Sequence, residues 1–126
     1  METTNAKITS TMLGKEDHGI FTFFLMLEFD SCGCGFGGYA LDEYNNTLKK
    51  RICTAAGLEV INRILDVVEV DKWEDLPGKY IRIKSNGWGS TIKEIGNIIK
   101  DKWFNIEDFF EERETKKLTK AVMEDK

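Results

Sequence analysis

The chain has 126 residues, 41% of them hydrophobic and 32% charged, with a formal net charge of −4 at pH 7. That length fits a single domain over 1–126 with a real apolar core. The acidic balance argues against broad, charge-driven binding to DNA or to anionic membranes, but leaves room for a small local basic pocket.

Residues 1–5 read as a loose polar end. Residues 6–14 alternate well enough for a strand, with Ile8, Ser10 and Met12 on one side. Asp17 and Gly19 punctuate a turn. Residues 20–30, IFTFFLMLEFD, are apolar and aromatic on both faces, which predicts a central strand covered on both sides and antiparallel to the first. The longest apolar run, 19–29, is too short to span a bilayer and contains Thr22 and Glu28, and the N-terminus shows no secretory pattern of basic residues before an apolar core. A glycine-rich loop, SCGCG, then leads into a third strand, GFGGYALDEY, completing an antiparallel meander.

Residues 54–70 give the clearest helix: Leu58, Ile61, Leu65 and Val68 recur at spacings of three and four, widened by Ala55 and Ile64. A short helical turn follows and closes at Leu76-Pro77-Gly78, where Pro then Gly suits a type II turn. Residues 79–84 alternate, with Tyr80, Arg82 and Lys84 on one face and Ile81 and Ile83 on the other. Asn86-Gly87 marks a hairpin turn. In 90–104, Ile92, Ile95, Ile99 and Trp103 suit a helix, but the preceding turn and the isoleucine density favour a strand, with Gly96 as a bulge or a point of close approach. From 105 on the pattern is helical, with Asn105 as cap, Glu107 and Asp108 at the positive end, and Phe109 and Phe110 as docking residues. Residues 114–126 are expected to fray. The fold class is therefore α+β, an antiparallel β-sheet packed by one long helix, plus a C-terminal helix.

The cysteines, Cys32, Cys34 and Cys53, read as reduced cytosolic thiols rather than a disulfide frame. Cys32-Gly33-Cys34 resembles half a zinc site, but four ligands are needed and nothing places Cys53 and His18 beside it. The glycines do not spell a P-loop or a dinucleotide fingerprint, since no Gly-Lys-Ser/Thr follows and a strand rather than a helix comes next. Gly37 and Gly38 lack a Cβ, so a ligand or a neighbouring subunit could touch backbone there; plain loop flexibility is the simpler alternative. Asp17-His18 has the form of an acid–base pair, although a turn histidine hydrogen-bonded to its neighbours is the simpler account. Arg51 and Thr54 stand at the start of the main helix, where free N–H groups and the dipole bind phosphate; a solvated basic run and an ordinary cap are the alternative. Trp88, on the hairpin turn, could stack on a ring or bury in a subunit interface, and Asn86 and Asn97 could read polar edges. Trp73 and Trp103 fall on apolar stripes and read as core.

The segments STMLGKEDHGIFTFFL, GFGGYALD, AAGLEVINRIL, KWEDLPGKYIRIK and IGNIIKDKWF, which cover most of 8–104, resemble a family of small phage-encoded proteins that includes or neighbours the first type of Thoeris anti-defence protein. Those are cytosolic, oligomeric sponges that sequester cyclic ADP-ribose isomers without cleaving them. The resemblance implies a homo-oligomer in the cytoplasm of an infected bacterium, with a pocket offering an aromatic platform, an asparagine and arginines. Trp88, Asn97, Arg82 and Arg113 are the candidates by chemistry. The cysteines of SCGCG are a departure from the family. No cofactor, metal or catalytic residue is expected. The leading reading is a non-enzymatic binder of a cyclic nucleotide signal. The alternative is an inhibitor acting by direct protein contact, as an anti-CRISPR does, through the acidic Glu107, Asp108, Glu111, Glu112 and Glu114. A hydrolase built on Asp17-His18 and a cysteine ranks last.

Overall fold

The computed structural model describes residues 2–16, 18–85 and 92–114. Alternation and β-branched or aromatic content put the first third into three long strands, β1 (Glu2–Glu16), β2 (Ile20–Phe29) and β3 (Cys32–Ala40), paired as the expected antiparallel meander. Asp30 and Ser31 form the two-residue β2–β3 connection at φ of 49° and 61°. Two successive positive φ angles make a type I′ turn, which matches the twist of its strands. The turn thus precedes the glycines, and the run expected as a loop is strand β3. The third strand stops at Ala40. Residues Asp42–Asn45 (β4) instead pair with Lys50–Cys53 (β5) as a separate two-stranded sheet.

β1 serves two neighbours. Its second half pairs with β2, and its first half, Glu2–Lys7, pairs with β6 (Tyr80–Ser85). The end expected to be loose is therefore central strand from Glu2 on. A bulge between Ile8 and Ser10 shifts the pleat, so Thr11 rather than Ser10 lies opposite the buried Leu25. This corrects the expected Ile8, Ser10, Met12 face. β2 is also not covered on both sides: Phe23, Leu25 and Leu27 are buried, whereas Met26 is 44% exposed. Its apolar outer residue Phe24 is used sideways, lying across β3, where a Cβ on Gly35 would come within 2.6 Å of the ring.

Residues 90–104 do not make one strand. Glu94–Gly96 (β7) and Trp103–Asn105 (β8) are joined by a turn and finish a six-stranded antiparallel sheet ordered β3-β2-β1-β6-β7-β8. Phe36 on β3 and Phe104 on β8 belong to opposite edges of that order, yet their rings lie 6.5 Å apart. The sheet must curl, with both edges turned toward a shared concave core. Helix α1 (Ala55–Val68) contributes Gly57, Val60, Ile64, Val67 and Val68 to the buried side. The stripe is rotated from the expected one: Leu58 is 73% exposed. A short 3-10 turn (Trp73–Asp75) leads to Leu76, and Gly78 at φ 93° takes the expected turn position after Pro77. Gly78 N–H donates to Ile8 O at 2.7 Å, and Ile8 N–H to Lys79 O at 2.8 Å, which fixes the turn on β1. The C-terminal helix, α2 (106–114), starts at the expected cap: Asn105 Oδ1 accepts from Asp108 N–H at 3.0 Å. Phe109 and Phe110 pack against the core. The architecture is thus the expected α+β arrangement. Among the described residues no helix is long and apolar enough to cross a membrane.

Because the curl rests on cross-edge ring packing, Phe104→Ala should cost about 3–5 kcal/mol in urea unfolding. The Phe36→Ala/Phe104→Ala double variant should cost less than the sum of the singles, because the pair shares a contact.

Candidate functional site

The start of α1 is built by Thr54. Its Oγ1 accepts from Gly57 N–H at 2.9 Å and donates to Leu41 O at 3.1 Å, so one hydroxyl both caps the helix and ties it to the β3–β4 corner. Gly57 sits against the same corner, where any Cβ would fall inside the Leu41 carbonyl. The Ala55 and Ala56 N–H groups have no intrahelical partner by position. Both residues line an open cleft of about 510 Å³, together with Asp42, Glu43, Cys53, Thr54, Phe110 and Arg113. Ala40 and Glu114 complete the rim.

The wall of the cleft is aromatic and braced. Phe110 packs on Tyr39 (5.9 Å) and on Phe109 (5.4 Å). The Arg113 guanidinium lies 5.4 Å from the Phe109 ring. On the floor, Asp42 is half-buried, with its side chain largely covered, and accepts from Arg51 Nη2 at 2.8 Å and from Phe21 N–H at 3.2 Å. The Arg51 hydrogen bond chiefly holds the Asp42 carboxyl below its ordinary range; burial opposes it, and the Phe21 N–H helps. Arg51 Nε is buried without a partner among the described residues. The cleft thus offers an arginine, two helix-terminal N–H groups and a phenyl face, with Glu43 and Glu114 as acceptors at the rim.

The sequence-selected residues divide. Thr54 and Arg113 meet in this cleft, and Arg51 lies one residue behind it through Asp42. Gly37 and Gly38 serve internal packing: a Cβ on Gly37 would come within 2.5 Å of Phe23 O, and one on Gly38 within 3.2 Å of the Phe24 ring. Asn97 is buried and fully engaged. Its Nδ2 donates to Val67 O (2.8 Å) and Glu69 Oε2 (3.1 Å), and its Oδ1 accepts from Ile99 and Lys100 N–H groups (3.0 and 2.9 Å). It welds the end of α1 to the β7–β8 turn. Arg82 donates from Nε to Asn97 O at 2.6 Å and from Nη2 to Lys100 O at 2.7 Å, supporting the same junction. Trp88, Asn86 and Asp17 lie outside the described residues. His18 occupies the β1–β2 turn at φ 65°. Trp73 meets the core edge-on at Phe23, but Trp103, expected as core, lies on the outer face of the sheet over Gly96. Among the described residues no group of His, Cys, Asp and Glu could hold a metal ion, and the three cysteines are free.

Asp42, Phe110 and Cys53 were not singled out by sequence as cleft residues. A signal for Asp42 existed: Asn45-Asn46-Thr47 is turn chemistry, and a β4–β5 hairpin sets residue 42 opposite the neighbours of Arg51. Comparison with known proteins gives no matching family model, no matching curated protein and no matching solved structure.

Two outcomes follow from this geometry. Gly57→Ala should fail to fold or lose most of its stability, since Leu41 backbone cannot give way; the loss of helical signal on mild heating measures this. For Asp42 the folded carboxyl is depressed, so its stabilising effect is present above the unfolded value near pH 4 and is lost as pH falls through the lower folded value. The difference in urea midpoint between the parent and Asp42→Asn should be full at pH 7 and shrink in that acid window.

Proposed function

We propose that this chain binds and sequesters a signal molecule bearing phosphate and an aromatic ring, of the cyclic ADP-ribose isomer class, in the cleft at the start of α1, and releases it unaltered. One observation carries the reading: Thr54, read as a phosphate-binding helix start, and Arg113, one of the arginines that the resemblance implies, line one cleft with an aromatic wall. In this reading a phosphate lies against the Ala55 and Ala56 N–H groups and the Arg113 fork, a charge-assisted arrangement. The ring stacks on Phe110. Glu43 and Glu114 accept from sugar hydroxyls. Asp42 does not repel the phosphate strongly, because Arg51 already holds its charge.

The resemblance to phage proteins supplies the setting, a homo-oligomer acting against a host nucleotide signal in the bacterial cytoplasm. Sequestration requires affinity and slow release, not an activated nucleophile. The Cys53 thiol on the rim is exposed, and the binding reading assigns it no role.

Isothermal titration with cyclic ADP-ribose isomers tests this. Arg113→Ala should weaken binding about tenfold or more, the scale of one lost charge-assisted contact. Cys53→Ser should bind as the parent does, and mass spectrometry should recover the ligand intact. Absence of binding, or a ligand returned hydrolysed by the parent but not by Cys53→Ser, would overturn the proposal.

A further inference from the structure

The convex face of the sheet, on the side away from the core, concentrates what the net charge hides. Register places Lys7 beside Tyr80, Asn5 beside Arg82, and Thr3 beside Lys84 on adjacent strands β1 and β6. Arg82 lies opposite Gly96, and Gly96 opposite Trp103, continuing the middle row to β8. A Cβ on Gly96 would strike the Trp103 ring, so the indole lies flat across that strand. The Arg82 guanidinium and the Lys84 ammonium sit 4.7 and 4.4 Å from its centroid. Tyr80 is 57% exposed, with Lys7 Nζ 5.9 Å from its ring.

The charges on this face are not all spent. Lys84 is paired with Glu94 at 3.4 Å, Lys100 and Lys102 share Glu69, and Trp103 Nε1 donates to Asp101. Glu28 stands opposite Lys7 in register, but Lys7 makes no ion pair among the described residues. Arg82 is bound by main-chain carbonyls, so its charge is uncompensated by a carboxylate. Uncompensated cations beside an exposed ring are the pairing that a nucleotide strand needs, phosphate against ammonium and base against ring. The feature is also extended rather than a cup. Successive rows on a strand are two residues apart, about 6.7 Å, a scale on which a stretched single strand can repeat its contacts.

We propose that this outer face binds single-stranded nucleic acid, with a base stacked on Tyr80 and phosphates tracking Lys7 and Arg82. The assignment is independent of the cleft at α1. Duplex binds less well because its bases are already stacked and cannot reach Tyr80.

Fluorescence anisotropy of labelled oligouridylate and oligothymidylate strands, each beside a duplex of equal length, tests the proposal. Single strands should bind, with affinity falling as salt rises. Tyr80→Ala should weaken binding about tenfold at fixed salt, and Tyr80→Phe, which keeps the ring, should restore it. Tyr80 is exposed, so both variants should unfold at the parent's urea midpoint. A preference for either strand would place the ribose hydroxyl or the base methyl in the contact, and equal affinity would confine it to features the two strands share; both support the site. No binding, equal or tighter binding of duplex, or indifference to Tyr80→Ala would overturn it.

Discussion

The cleft at the head of α1 depends on one steric contact. Gly57 brings the first turn of the helix onto the Leu41 main chain with no side chain between them, and Thr54 clasps the same carbonyl while capping the helix. Those two residues set the helix rotation, which is why Val60 and Ile64 face the core and Leu58 faces water. They also bring Ala55 and Ala56, at the start of the helix, to the wall of the cleft that Phe110 and Arg113 line. A helix rolled to bury Leu58 would carry a different first turn into that space.

The opposite end of α1 is held by a different chemistry. Glu69 ends the helix at φ 64°, a left-handed position more usual for glycine. Its carboxylate, held below its ordinary range chiefly by the Lys100 hydrogen bond, accepts from Asn97 and lies beside Lys102. Asn97 in turn satisfies Val67 O and two N–H groups of the β7–β8 turn. So α1 is fixed sterically at its start and by a polar knot at its end, and the curled sheet closes around it through Phe36 and Phe104.

What could be read from the sequence followed the range of the forces involved. The meander, the Tyr80–Lys84 alternation, the Thr54 and Asn105 caps and the Pro77-Gly78 turn are set by neighbours in the chain, and the structure has them. The glycine run misled because its reason is not local: Phe24, on the next strand, fills the volume that side chains on β3 would take. The helix stripe misled because Leu41, well before the helix, sets its rotation. Asn97 looked like a ligand-reading amide, and its chemistry is that, but its partners are main chain brought together by the fold. Of the cleft, Thr54 could be read as a helix start and Arg113 only as a type of residue; that they meet required the path of α2.

On the proposed reading, the Ala55 and Ala56 N–H groups, with Arg113, receive a nucleotide's phosphate. Amide-resolved NMR of the isotope-labelled chain, titrated with a cyclic ADP-ribose isomer, addresses those N–H groups directly. The Ala55 and Ala56 amide signals should move strongly and saturably together with the Arg113 side-chain Nε–H, while Ile81 and Ile83 in the sheet stay in place. Saturable shifts that spare Ala55 and Ala56, or no shifts at all, would contradict that reading.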